Sequence, residues 1–461
     1  MQLFGPLKQD SEFYESVRKI ALPVALQSVL VNSLALIDTF MIGFLGEKQL
    51  AAATLATQPF FVITVTLFGL QSGGAVLISQ YWGKRDLNAI NRVMGISLRF
   101  CLVFSILIAS ALFLRPDLLL RFMSPEADVI AYGAEYTKYV AFSYVFNAVT
   151  VVYFGVQRSI ENVNIGVVVQ SSAVVMNIFF NYIFMFGIPG LLPAMGVAGV
   201  ALGTLVARII EFCFMLIYAL FFNKRMKLDF GALLRPGRAL VGDYIKYAWP
   251  VVLNEALWST GFSMFNVMYG RMGSQFVAAN TIASNFERFA SVLIIGVGNA
   301  ATILVGKQIG AGDREKAYSY GGTLGVLGLL AGLAMGLIAL VAAPLTFGFF
   351  EFEPSALQLA QVFLLFCCAG LPAKGYNRAT LVGTLRAGGD VKFIMFIDVF
   401  FLWTMAVPLA WLCSQVWHLP FYFVALIVLA EESVKAVICF KRYKSRVWIR
   451  DVTRVIAREG G

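Results

Sequence analysis

Twelve continuous apolar runs, with approximate limits 19–43, 52–82, 93–114, 132–157, 165–188, 196–222, 243–270, 276–306, 317–349, 357–385, 392–413 and 420–440, dominate this chain. One helix needs about 20 apolar residues to cross the hydrocarbon core of a bilayer. Transmembrane β-strands are excluded, since they alternate in hydrophobicity over about 10 residues, and these runs are longer and apolar on all sides. Little else is left over: of 461 residues 59% are hydrophobic and only 13% are charged. The expected fold is an all-α polytopic membrane protein with twelve transmembrane helices and no sizeable soluble domain.

The net charge of +10 would point to nucleic acid in a soluble chain, so its location matters more than its total. The opening segment MQLFGPLKQDSEFYESVRK is polar and mixed in charge, unlike a cleavable signal peptide, so the first run is expected to be a retained helix. With that end in the cytoplasm, the inside loops carry Lys84, Arg85, Arg158, Lys224, Arg225, Arg314, Arg386 and a tail from Lys441 to Arg458. The outside loops carry only Lys48, Arg115, Arg121, Lys138 and Arg271. The positive-inside rule then places both termini in the cytoplasm of a cell-membrane protein. The partners of the basic loops are membrane lipids, through their anionic headgroups, and not nucleic acid. The six cysteines lie in apolar runs without a CxxC and with a single histidine, which reads as core thiols and against zinc.

The chain repeats itself. A shift of 227 residues matches Pro23 with Pro250, Gly43 with Gly270, Gly69 with Gly296, Gly83 with Gly310 and AAATLATQ (51–58) with AANTIASN (278–285). One residue more matches Gly155 with Gly383 and Arg158 with Arg386. Twelve spans thus divide into two six-helix lobes, and because six is even both lobes insert in the same sense, as a parallel pseudo-two-fold repeat. Residues 1–222 form the N-terminal lobe, 223–242 a cytoplasmic linker, 243–440 the C-terminal lobe and 441–461 a basic cytoplasmic tail. Two similar bundles that rock about a central cavity are the architecture of alternating access.

Charges inside hydrocarbon are costly and mark function or pairing. In the N-terminal lobe, Asp38 lies about 9 Å from the outer end of its helix, Asn181 about 10 Å and Thr204 about 12 Å, all at one depth. Asn177 and Asn181 are four residues apart and share a helix face. This oxygen set suits Na⁺, and a lone carboxylate in a dry pocket suits a proton equally well. The plainer reading is that the amides join helices as polar glue. In the C-terminal lobe Glu255 and Lys374 lie at similar depth and are expected to pair, with Arg378 on the face of Lys374 and Pro372, just before them, kinking or loosening the helix where they sit. Either that network is structural, the favoured reading, or Glu255 faces the cavity and attracts cations. Glu287 with Arg288, Arg208 with Glu211 and Glu432 with Lys435 read as self-neutralising, and Asp398 as reaching the interface. Tyr144, Asn147, Phe60, Phe61 and Tyr153 are candidates for lining the pathway.

No Walker A sequence, GxSxG, HExxH or EF-hand loop occurs, so the chain is expected to be no enzyme and to draw its energy from an ion gradient or from substrate flow instead of ATP. The residues ALP and LIDTFMIGFLG in the first span, AATLATQ in the second, SQYWGKRD and VGKQIGAGD after the second and eighth, GVAGVALGT in the sixth and GTLRAGGD after the tenth carry a resemblance. Together, over nearly the whole chain, they resemble the multidrug and toxic compound extrusion (MATE) family of secondary antiporters. The resemblance implies a two-lobed exporter in which influx of Na⁺ or H⁺ drives expulsion of amphipathic, often cationic, small molecules. By that likeness Asp38, Asn177, Asn181 and Thr204 match the family's N-lobe cation site. Some members carry an acid where Asn181 stands, so Asp38 is the one carboxylate here. Glu255 matches a seventh-span acid of one branch, whose tenth-span partner acid is replaced by the neighbourhood of Lys374, Gly375 and Asn377. The expected protein is a monomeric exporter with no cofactor beyond its coupling ion, Na⁺ or H⁺, with a lipid-linked precursor flippase of the same superfamily as the alternative.

Overall fold

The computed structural model describes residues 8–123, 126–347 and 354–454. The first half folds into α1 (Ser11–Gly43), α2 (Glu47–Ala56), α3 (Gln58–Gly83), α4 (Leu87–Leu114), α5 (Pro116–Met123), α6 (Ala127–Ser159), α7 (Asn164–Phe186) and α8 (Gly196–Ile217). A linker holding the one-turn α9 (Phe230–Leu234) leads to α10 (Arg238–Met272), α11 (Ser274–Ala290), α12 (Val292–Gly310), α13 (Arg314–Phe347) and α14 (Pro354–Asn377). The chain ends in α15 (Val391–Phe400), α16 (Val407–Trp411) and α17 (Tyr422–Lys444). Among the described residues the one β pairing is an isolated bridge between Ile188 and Leu192. A helix satisfies its own backbone hydrogen bonds, which is why chains of this composition fold in lipid as helices.

Among the described residues ten helical segments are long and apolar enough to cross a bilayer. The remaining two crossings, α10 and α17, have the length, 35 and 23 residues, but carry Asp243, Lys246 and Glu255 or Glu431, Glu432 and Lys435 along them. The second and eighth spans are not single helices. Each starts earlier than its apolar run, at Glu47 and Ser274, and breaks at a hydroxyl residue, Thr57 or Ser291, with φ/ψ of −86°/−9° and −81°/−9°. Pro372 does not interrupt α14, which runs on to Asn377; the irregularity falls beyond it, where wide π-helical turns carry the chain from Arg378 to Leu385.

The two lobes join at the face that bears both ends of the described chain, called here the terminal face. The repeat shows itself there in reciprocal contacts. A Cβ on Gly83 would lie 2.1 Å from the Lys307 carbonyl oxygen, and one on Gly310 would lie 1.9 Å from that of Gln80. Gln80 and Lys307 are themselves separated by the repeat shift, so the pseudo-two-fold axis runs through this crossing. In lipid, helix association rests on such close packing, for which small residues are required.

The first helix of each lobe belongs to both. Phe13, Val17, Ile20, Ala21 and Val24 of α1 are buried in the C-lobe core with Ala300, Leu304 and Leu324, whereas Ile42 lies in the N-lobe core. In mirror fashion Leu240, Tyr244, Ala248 and Val251 of α10 pack into the N-lobe core, and Phe265, Met268 and Tyr269 into that of the C lobe. Away from the terminal face the lobes part. On α1, Phe40 and Phe44 are 71% and 79% exposed there.

Beyond α17 the chain folds back across the seam. Trp448 is fully buried, Gln80 Nε2 donates to the Ala387 and Arg450 carbonyls at 2.8 and 3.0 Å, and Val452 N donates to Gln80 Oε1 at 2.8 Å. Lys84 pairs with Asp451 at 2.9 Å and Arg454 with Asp243 at 2.5 Å. The outer parts of the expected first and last segments, residues 1–7 and 455–461 with Arg458, lie outside the described residues.

Candidate functional site

A cavity of 360 Å³ opens in the N-terminal lobe, walled by apolar side chains of α1, α2, α3, α6, α7 and α8. Its polar floor is a single hydrogen-bonded chain across three helices. Asn181 Nδ2 donates to Asp38 Oδ1 at 2.8 Å and lies 3.0 Å from Asn177 Oδ1, and Asn177 Nδ2 donates to Thr204 Oγ1 at 3.2 Å. The four residues that the sequence placed at one depth are therefore brought together. The helical spacing of Asn177 and Asn181 aims both amides at α1 and α8, as four-residue spacing requires. Asn181 comes this close because position 203 is glycine: a Cβ there would lie 2.3 Å from Asn181 Oδ1. That oxygen is buried, faces Gly203 and has no hydrogen-bond partner among the described residues.

The structure adds a basic residue near Asp38, although not as its ion-pair partner. Arg208, one turn past Thr204, lines the same cavity, where it pairs with the buried Glu211 at 2.6 Å. With Arg208 matched by Glu211, Asp38 is the unbalanced charge of the cavity. Of the suggested pathway residues, Tyr144 and Phe60 line the cavity and stack on each other with ring centroids 5.5 Å apart. The buried Tyr144 hydroxyl has no partner among the described residues. Asn147 is buried one turn away and does not line the cavity; Tyr153 accepts a hydrogen bond from Asn223 at 3.0 Å instead, and Phe61 is exposed. Tyr136, which sequence reading missed, lines the cavity with Val140 and Tyr144. The four-residue spacing along α6 was the available signal.

The C-lobe charges pair otherwise than expected. Lys374 forms its ion pair with Glu287, not Glu255, so Glu287 is not neutralised by Arg288. Glu255 is held by Arg386 at 3.1 Å, and Arg386, 1% exposed, also donates to Ser72 of the other lobe at 2.9 Å. Arg386 and Arg158 had been counted as loop charges. The π turns after α14 extend the helix to Leu385 and turn Arg386 inward, and Arg158 sits in the last turn of α6. The Arg158–Arg386 match in the repeat was the signal that could have found them. Asp398 does not reach the interface; it is buried between Lys435 at 3.0 Å and Asn254 at 3.1 Å. Lys435 meets Glu431 and Glu432 at 2.9 and 3.1 Å. These groups, with Arg378, line a second cavity of 290 Å³. The thiols are all free, and Cys213 is exposed instead of packed in the core.

Two lobes in parallel repeat, each with an internal cavity and joined at one face only, define a polytopic membrane transporter. The family model MatE matches residues 23–183 and again 250–412, one match per lobe and 227 residues apart. The chain belongs to the MatE family. The curated relatives it resembles include an uncharacterised transporter, YisQ, of Bacillus subtilis, 22% identical over 96% of this chain and 97% of the relative. A probable multidrug resistance protein, NorM, of Thermotoga maritima is 24% identical over 90% and 88%. Among solved structures, a MATE in complex with MaL6 superposes with a TM-score of 0.86, at 20% identity, over 96% of this chain and 97% of that one.

Proposed function

We propose that the protein is a multidrug exporter in which binding of Na⁺ or H⁺ at Asp38 drives antiport of amphipathic, cationic small molecules. The observation that carries this reading is the unbalanced carboxylate of Asp38 at the floor of an apolar-walled cavity, joined to Asn181, Asn177 and Thr204. Aromatic and aliphatic walls accept the apolar body of such a compound, and Asp38 attracts its charge. The carboxylate, with the Asn177 and Thr204 oxygens that line the same cavity, supplies oxygen ligands of the kind that a hard cation takes. A proton would be held on the carboxylate itself. The ion and the substrate therefore compete for one charge, which is the differential binding that coupling requires. The chain runs antiport with both termini in the cytoplasm and acts as a monomer without a cofactor. Named relatives that are multidrug resistance proteins support the substrate class.

The test is Asp38→Asn in proteoliposomes, with a Na⁺ gradient and a pH gradient imposed separately on a cationic dye. Gradient-driven dye movement is expected to fall to the leak rate while the thermal unfolding midpoint stays near that of the unaltered protein. Undiminished transport by the variant would refute the assignment, and whichever gradient drives the unaltered protein identifies the ion.

A further inference from the structure

At the closed end of the interlobe cleft three arginines gather, and two of them form no ion pair among the described residues. Arg158 at the end of α6 and Arg378 after α14 line a cavity of 30 Å³ between the lobes with Gln71, Ser72, Asn299 and Thr302. Arg158 donates to Asn299 Oδ1 at 3.0 Å, and its Nε is buried without a hydrogen-bond partner among the described residues. Arg378 lies over the Phe68 ring, 5.7 Å from its centroid. Among the described residues no carboxylate stands within ion-pair distance of either, while the third arginine, Arg386, is matched by Glu255 and donates to the Ser72 hydroxyl of the same wall.

A desolvated charge demands an opposite one, and two like charges facing one small space demand it more strongly. Water filling the cavity would satisfy hydrogen bonds but not charge. The geometry points to an anion site shared by the lobes: Arg158 and Arg378 hold a small monovalent anion of halide or carboxylate size, with the Gln71 amide and Thr302 hydroxyl beside it. The guanidinium fork is the side chain suited to carboxylates and other anions. The volume exceeds the ~10–15 Å³ that one water needs, so a halide or a carboxylate head fits. Because each lobe supplies one arginine, the anion is held only while the lobes meet at the terminal face. Its binding therefore favours that state over one in which they part. This site is separate from Asp38 and stands whether or not Asp38 couples transport.

The test uses the full chain in nanodiscs, with Na⁺ and ionic strength constant while gluconate is exchanged for chloride, bromide, formate or acetate. A saturable rise in the unfolding midpoint of several degrees is expected, lost in Arg158→Gln and in Arg378→Gln, partly kept in Arg378→Lys and intact in the control Lys84→Gln. A halide response identifies a free ion; a response to formate and acetate alone identifies the acidic group of an organic anion. Should the glutamine variants fail to fold, anomalous scattering from bromide in crystals of the unaltered protein must place the ion between the two guanidinium groups. Equal midpoints in all the anions, a rise that survives in both glutamine variants, or the lack of a bromide peak there would each overturn the site.

Discussion

At the scale of the residue, what could be read in advance was whatever a helix period encodes. Asn177 and Asn181 share a face by spacing alone, and depth along straight helices brought Asp38 and Thr204 to them. Pairing between distant helices is not periodic, so the partner of Glu255 was missed: an i,i+3 or i,i+4 rule cannot reach Arg386, 131 residues away. That pair makes a prediction. Glu255 and Arg386 are both largely buried, so removing one leaves the other charge uncompensated, at a cost of about 3–5 kcal/mol. Glu255→Gln and Arg386→Gln should each lower the thermal unfolding midpoint strongly, whereas the double variant should recover much of the loss. A double-mutant cycle in detergent measures the coupling; additive losses would mean that the two side chains act independently.

At the scale of the element, the apolar runs located the spans because lipid accepts little else, but they did not reveal the breaks at Thr57 and Ser291. An irregularity at a single hydroxyl residue leaves the apolar character of the run unchanged. Nor could composition show that α1 changes allegiance along its length, since both of its halves are equally apolar. Residues 13–24 pack with the C-lobe core, Ile42 packs with the N-lobe core, and Pro23 sits at the end of the first portion. Proline in a helix interior removes a hydrogen bond and costs about 3 kcal/mol, so this is where α1 bends most easily. Lobes that move apart at the terminal face must bend α1 or strip it from one core. Pro23→Ala restores the missing bond and stiffens the helix. The expected outcome is an unfolding midpoint equal to or above that of the unaltered protein, with gradient-driven transport reduced in proteoliposomes. Full transport activity in a stabilised variant would show that bending at Pro23 has no part in the cycle.

At the scale of the whole molecule, the repeat was legible as matched glycines, and its physical meaning emerges at the seam, where Gly83 and Gly310 let the two backbones touch reciprocally. The tail was legible only as basic residues, although the chain beyond α17 is a strap that ties the lobes together. Gln80 of the N lobe is hydrogen-bonded on both sides by strap residues, and Trp448 is buried against Gly388 of the C lobe. At the strap, burial raises and hydrogen bonds from Lys84 and Thr453 lower the Asp451 carboxyl; the hydrogen bonds prevail, holding it below its ordinary value. A depressed carboxylate contributes stability that is present above its ordinary pKa, about 3.9, and is lost as pH falls through the lowered value. Ending the chain at Arg446 removes all of these ties and leaves the transmembrane helices whole. Amide hydrogen exchange over residues 76–84 and 304–312, the two helix ends of the seam crossing, should then quicken at neutral pH, while exchange around Asn177 and Asn181 stays unchanged. In the untruncated protein, acidification below the aspartate range should lower the protection of the same two segments relative to the intrinsic exchange rate at that pH, and Asp451→Asn should reproduce part of that loss at neutral pH. Seam exchange indifferent to truncation would mean that the glycine crossing alone holds the lobes together, and that the strap rests on the seam without closing it.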